Sequence, residues 1–410
     1  MSGGAVFFFF FFITSSLLQR VEAASGSPVS FLPGFDGPLP FQLRTGFVSF
    51  HDSFSESNPE EDPLILWITG GPGCSPLRAI IQEIGPLLVE PVEYNGSLPR
   101  LLPFPYSWTK VASIIFLDLP VGTGFSYATT STALHSDNLL TGANAYEFLQ
   151  KWFGENPEFL SNPFYVGGDS YSGITVPILT EMISNGNREI KPFIHLQGYI
   201  LGNPLTSEAA DLNSRIPFAH RMALISDELY MGLKRDCKGK YYLDTHPTNL
   251  LCQQHLQIYN QEDWNKVSEY WANDDRSREA LHVRKGTKGK WEQCASNLAF
   301  TKIVQNSIPY HERLSRMGYR SLVYSGDHDM LVPYLSTHAW IKSLNYSVID
   351  DWRPWIVEGQ VAGYTTTYAN QMTFATVKGG GHTAPEFRPS ECFEMFKRWI
   401  FNKQLYSIRD

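Results

Sequence analysis

Six short runs of aliphatic and aromatic residues are each followed closely by Gly, Asn or Asp: Leu64 to Thr69, Ser113 to Asp118, Phe164 to Val166, His195 to Leu201, Ser321 to Tyr324 and Met372 to Val377. Runs that stay apolar instead of alternating belong to strands buried on both faces, the situation of a parallel sheet. Helical patterns lie between them. From Thr141 to Phe153, for example, Ala145, Phe148, Leu149 and Trp152 recur at i, i+3, i+4 and i+7. Strand and helix in alternation predict an α/β fold with a mostly parallel central sheet and helices on both faces. In such sheets ligands bind at the carboxyl ends of the strands, where the polar residues of these runs fall.

Composition narrows the function. With 43% hydrophobic and 18% charged residues the chain can build a large core. Its formal net charge of −8 offers no general attraction to nucleic acid or anionic lipid. From about Arg215 to Lys290 the strand-like runs stop and Lys, Asp, Gln, Asn, Trp and Tyr take over, which reads as a helical cap inserted over the binding face. At the other extreme, Val6 to Leu18 is a Phe-dominated apolar run shorter than the ~18 residues that span a bilayer, followed by Ala23 and Ala24. This is the pattern of a signal peptide, although Lys and Arg are missing ahead of the run. The expected organisation is a leader over 1–24, core over 25–214, cap over 215–290 and core again over 291–410, with no membrane span after leader removal. On a secretory route, Asn95 and Asn345 become N-glycosylation sequons.

Cys74, Cys237, Cys252, Cys294 and Cys392 contain no CxxC pair and no His at zinc-finger spacing, so disulfides are expected and a metal site is not. The odd count leaves at least one thiol unpaired within the chain, and the count alone sets no connectivity. No organic cofactor is implied. His195, His220, His246, His311 and His338 read as structural or solvent-facing, and Trp340, Trp352, Trp355 and Tyr346 as core.

Three segments carry chemistry. In Phe164 to Gly173 a strand runs through Gly167-Gly168-Asp169-Ser170-Tyr171-Ser172-Gly173 into a helix, a small-residue turn that pushes Ser170 clear of the backbone like a nucleophile elbow. Ser321 to Asp327 delivers an acid at a strand end, and Phe374 to His382 delivers a histidine from a glycine loop. The chain order Ser, Asp, His is that of α/β-hydrolases. His382 would act as general base for Ser170, and Asp327 would fix its tautomer and stabilise its cation. Asp329 is the rival acid; Asp327 is preferred because it directly follows the strand. A fourth segment, Leu66 to Ser75, ends a strand in Gly70-Gly71-Pro72-Gly73, a turn able to aim N–H groups at an oxyanion. No Gly-Lys-Ser/Thr follows, so it is not a Walker loop.

Together Gly70 to Ser75, Phe116-Leu117-Asp118 with Pro120 to Tyr127, Gly168 to Gly173 and Gly381-His382-Thr383-Ala384-Pro385 resemble the serine carboxypeptidase family, specifically its plant carboxypeptidase-like members. The matches run in one order from about Leu32 to Trp399. The resemblance implies an α/β-hydrolase fold, Ser170, Asp327 and His382 as triad, and the backbone N–H groups of Gly71 and Tyr171 as oxyanion donors. It also implies Cys74–Cys294 and Cys237–Cys252 disulfides and Cys392 unpaired; the leader points to a secreted or vacuolar location. Thr69, Gly70, Asp169 and Glu83 match positions near the substrate, with an exposed helical glutamate as the plainer reading of Glu83.

Peptidases of the family have Asn where Thr69 stands and Glu where Asp169 stands, and use them to hold the substrate's C-terminal carboxylate. Thr loses an amide donor and Asp draws its acid back by one methylene, so both weaken that grip. Plant relatives that transfer acyl groups from glucose esters have the same Thr and Asp. The expected activity is therefore acyl transfer from a glucose ester to an alcohol, with carboxypeptidase action on peptides as the alternative. A further alternative is an impaired protein: the passage from Gly46–Phe50 to Leu64 is too short for a strand usual in the family, and the cap is short between Cys252 and Trp264.

Overall fold

The computed structural model describes residues 6–9, 12–13, 27–40, 43–45, 62–90, 97–128, 130–241, 249–259, 267–283, 286 and 289–405. The Asn95 sequon, His246, the short passage after Phe50 and the stretch 260–266 lie outside them.

Eleven strands form the central sheet: β1 (Val6–Phe9), β2 (Ser27–Val29), β3 (Leu43–Thr45), β4 (Leu64–Ile68), β5 (Ser113–Leu117), β6 (Phe164–Asp169), β7 (Leu196–Gly202), β8 (Arg320–Gly326), β9 (Val348–Val357), β10 (Gln360–Tyr368) and β11 (Met372–Val377). Their order is β9-β10-β11-β8-β7-β6-β4-β5-β1-β3-β2. From β11 to β3 every pairing is parallel, and antiparallel strands stand only at the two margins. The six runs read as buried strands all lie in the parallel part, each within a residue or three of its expected end.

Alternation sends side chains to opposite faces, and the core divides accordingly. Leu64, Leu66 and Ile68 of β4 and Phe164 and Val166 of β6 pack with α1 (Asn138–Glu155) and α2 (Ser172–Gly186) through Leu149, Trp152, Val176 and Leu179. Ile65 and Trp67 join the other cluster with Trp108, Phe396 and Trp399. There Trp108 and Phe396 stack at 4.1 Å between ring centroids. Burial on both faces is what held these strands to continuous apolar runs.

Three differences from expectation matter. First, β1 comes from the expected leader: Val6–Phe9 pairs with Ile114–Leu117 of β5 and Phe8 with Thr45 of β3, so a stretch expected to be removed stands within the central sheet. Second, the departure from the sheet begins at Asn203, not near 215. β7 and β8 are neighbours, and between them run α3 (Glu208–Arg221), α4 (Asp227–Cys237), α5 (Leu250–Tyr259), α6 (Val267–Asn273), α7 (Asp275–Ala280) and α8 (Ile308–Arg316). Third, the β9–β10 hairpin was not expected. After it the chain closes with β11, then α10 (Ala384–Phe387) and α11 (Pro389–Ile400), while α9 (Tyr334–Ser343) precedes it. Among the described residues no helix is long and apolar enough to cross a membrane.

Both disulfides implied by the resemblance are present, Cys74–Cys294 and Cys237–Cys252, and Cys392 is free and buried. Trp340 and Trp355 are core as expected, but Trp352 is 40% exposed, because it lies on β9 at the sheet's margin, where α9 covers it only in part.

Candidate active site

β6 ends at Asp169 and α2 begins at Ser172, leaving two residues for the reversal. Ser170 meets that demand with φ +57°, a left-handed conformation uncommon for a residue with a Cβ. Neighbouring backbone holds it there: Ser170 N–H donates to Gly202 O at 2.9 Å, and its carbonyl accepts from Gly173 N–H at 3.0 Å and Leu205 N–H at 2.8 Å. The glycine turn after β4 lies against this elbow. A Cβ on Gly70 would fall 2.5 Å from Tyr171 N and 2.6 Å from Ser170 Cβ, so only glycine allows the approach. Gly71, at φ +110°, continues the turn. Neither the Gly71 nor the Tyr171 N–H has a partner among the turn and loop hydrogen bonds of the described residues. The turn is pinned from outside, with Ser75 N–H donating to Gln293 O at 2.8 Å and Ala295 N–H to Gly73 O at 2.9 Å on either side of the Cys74–Cys294 bond.

His382 Nε2 lies 2.8 Å from Ser170 Oγ, and His382 Nδ1 lies 2.8 Å from Asp329 Oδ2. An ionised carboxylate only accepts, so Nδ1 carries the proton and Nε2 is left to accept from the serine. The acid facing the histidine is therefore Asp329, which corrects the choice of Asp327. The ladder with β11 continues one residue past β8, because Asp327 N–H donates to Val377 O at 3.0 Å. This directs the Asp327 side chain to the glycine loop, where it accepts from Gly379 N–H at 2.6 Å. Only then does the chain turn and bring Asp329 back toward the elbow. Asp329 is 1% exposed. Burial pushes its carboxyl up, but the His382 ring, the Asn203 amide and Leu331 N–H hold it below the usual range. Burial works against a charge on His382, and Asp329 outweighs it, leaving the imidazole above its ordinary value.

Asn203 escaped sequence reasoning. It is fully buried at the carboxyl end of β7, and its Nδ2 donates to Asp329 Oδ2 at 2.7 Å and to Gly381 O at 3.3 Å. Its Oδ1 accepts from Gly326 N–H at 3.3 Å. A lone Asn after a strand carries no motif; its place at a strand's carboxyl end was the available signal.

Beside the elbow, Thr69, Asp169 and Glu83 are all buried, which overturns the plainer reading of Glu83 as an exposed helical residue. Burial raises the Asp169 carboxyl to about 6, against the pull of His382 and Arg78. Glu83 is raised well above the usual carboxylate range by burial and then by Asp169, with Arg78 opposing. Arg78, also absent from the sequence reading, has Nε 3.4 Å from Glu83 and Nη2 2.6 Å from Glu386, which in turn accepts from Thr383 Oγ1 at 2.7 Å. Thr69 Oγ1 and Asp169 Oδ1 are buried without a hydrogen-bond partner among the described residues, while Glu83 Oε1 and Arg78 Nε face each other as an ion pair. Buried polar atoms left so are costly, and a bound polar group would satisfy them.

Comparison with known proteins bears on this arrangement. The family model described as serine carboxypeptidase matches residues 33–270 and 259–402. Serine carboxypeptidase-like 17 of Arabidopsis thaliana is 51% identical, covering 95% of this chain and 96% of its own, and serine carboxypeptidase-like 2 of the same plant is 51% identical over 95% of each. The alignment with the former runs over 422 positions, more than the 410 residues of this chain, so part of that relative has no counterpart here. Among solved structures, the crystal structure of Kex1(delta)p, a prohormone-processing carboxypeptidase from Saccharomyces cerevisiae, superimposes with a TM-score of 0.73 at 20% identity over 86% of each chain. The fold is that of the α/β-hydrolases, as the order of the Ser170, Asp and His382 segments implied.

Proposed function

Starting from the fact that the chain belongs to the serine carboxypeptidase family, we propose that it works through an acyl-enzyme on Ser170 and passes an acyl group from a glucose ester to an alcohol acceptor. Ser170 Oγ attacks the ester carbonyl while His382 Nε2 takes its proton, and Asp329 stabilises the imidazolium. The oxyanion is received by the Gly71 and Tyr171 N–H groups. As the tetrahedral adduct collapses, the bond to the glucose oxygen breaks and that oxygen takes the proton from His382. The acceptor hydroxyl then gives its proton to the same nitrogen and attacks the acyl carbonyl, and as the bond from the acyl carbon to Ser170 Oγ breaks, Oγ takes that proton back.

The observation that carries the choice of donor is the pocket of Thr69, Asp169 and Glu83. Three carboxyl groups, with Glu386, face one guanidinium, and Thr69 offers a single hydroxyl. A substrate carboxylate entering above pH ~6 meets an ionised Asp169 and finds no amide donor at position 69, whereas a neutral sugar can both donate to and accept from the unpartnered atoms. The Thr and Asp shared with plant transferases support the same reading. Water attacking the same acyl-enzyme would give the peptidase alternative.

Changing Thr69→Asn together with Asp169→Glu tests the choice. Peptide hydrolysis should rise relative to transfer when blocked dipeptides and acyl glucoses are compared on one preparation. An unchanged ratio removes the argument for transfer. The apolar leader, both disulfides and the family support a secreted or vacuolar protein, with residues 1–24 removed on the way.

A further inference from the structure

A cavity of about 360 Å³ opens far from the elbow, between α9 and the β9–β10 hairpin, and Asn345 of the Asn345-Tyr346-Ser347 sequon forms part of its wall. Asn345 follows the end of α9 with φ +53°, the left-handed conformation that asparagine accepts at a helix terminus, and its side chain is exposed. Aromatic rings line it too: Trp352, 40% exposed, stacks on His338, also of the lining, with centroids 5.3 Å apart, and on Tyr364 beyond the cavity at 5.5 Å. Lys342, Asp351 and Thr366 give the cavity polar groups. Aromatic surface bordered by charged and hydroxyl groups suits a sugar, which presents C–H faces and a ring of hydroxyls.

The same region has a second need. β9 is the end strand of the sheet and begins three residues after Asn345, with Val348 49% and Ile349 67% exposed. A ten-residue outer strand with apolar side chains in water is a template for pairing with another chain, and native proteins cover or charge such edges. Asp350, Asp351, Arg353 and Pro354 blunt the middle of the strand and leave its start, Val348 and Ile349, apolar and in water.

We infer that Asn345 carries an N-linked glycan whose first N-acetylglucosamine residues lie in this cavity against Trp352 and cover the start of β9. The occupant follows from the attachment residue, which is part of the cavity wall and holds the sugar near it at high effective concentration. The inference rests on the secretory route of the proposed function.

The full chain is secreted from a glycosylating eukaryotic host and its glycopeptides are weighed before and after endoglycosidase treatment, native and unfolded. The Asn345 peptide should carry a glycan that resists release from the folded protein but not from the unfolded one, and Trp352→Ala should remove most of that resistance. Ser347→Ala, which abolishes the sequon and leaves Asn345 and the cavity intact, should lower the temperature at which aggregation begins. A glycan on Asn95 with Asn345 bare would overturn the inference while leaving the route standing, and both sites bare would overturn both. A glycan at Asn345 released equally fast from folded and unfolded protein would also sink it, as would an unchanged aggregation temperature in Ser347→Ala.

Discussion

Asp327 and Asp329 are two residues apart and do different work: one ties the β8 end to the glycine loop, the other faces the histidine. Asp329→Asn should lower the rate at which a fluorophosphonate labels Ser170 by roughly 10³–10⁴-fold, by analogy with loss of the acid in other triads. Asp327→Asn should cost far less, since its bond to Gly379 N–H can be kept by the amide oxygen. The pH dependence adds a check. His382 must be neutral to take the proton and is raised above its ordinary value, so labelling in the unaltered protein should climb with pH through a limb above 6.5. Without the Asp329 charge that limb should move to lower pH even as the plateau falls. At this scale the serine and histidine were legible because each sits in a run of small residues that chemistry demands. The acid was not, because one extra rung beside β11 decides which way Asp327 points, and a rung is a pairing between segments about fifty residues apart.

Strands meet the site through their carboxyl ends, and Asn203 at the end of β7 ties β8 and the histidine loop together. Asn203→Ala would remove the donor to the Gly381 carbonyl and one of the two partners of Asp329 Oδ2, the other being His382 Nδ1, at a cost of about 1–3 kcal/mol of stability. Labelling of Ser170 should fall about tenfold, equivalent to ~1.4 kcal/mol in the barrier. A chemical-denaturation curve and a labelling time course on one preparation separate the two effects. A variant that loses stability but labels at the original rate would limit Asn203 to a packing role. The parallel strands were legible as unbroken apolar runs because both their faces are covered. The β9–β10 hairpin was not: Asp350, Asp351, Arg353 and Pro354 interrupt its apolar residues, as the uncovered margin of a sheet permits.

Across the whole molecule, the N-terminal strand sets structure against processing. Val6–Phe9 gives β5 a partner on its open side, and a chain beginning at Ser25 would leave the Ile114–Leu117 backbone unpaired along that edge. The shortened chain should therefore melt several degrees below the full one, at about 2–4 °C per kcal/mol for a domain of ~150–250 residues and less for a larger one. N-terminal sequencing of secreted material tells which form the cell keeps, and equal melting temperatures would show that β1 adds nothing to stability. The excursion between β7 and β8 has a different consequence. Its two ends emerge from adjacent parallel strands paired from Gly198 with Arg320 to Gly202 with Tyr324, so the sheet on either side closes without it. Relatives could therefore exchange this stretch as a cassette, altering what lies above the elbow while the serine, its histidine and the order of strands stay in place. Its fittings to the site must travel with it: Cys294 has to meet Cys74, Ala295 N–H the Gly73 carbonyl and Leu205 N–H the Ser170 carbonyl, while Asn203, directly after β7, has to stay with the sheet.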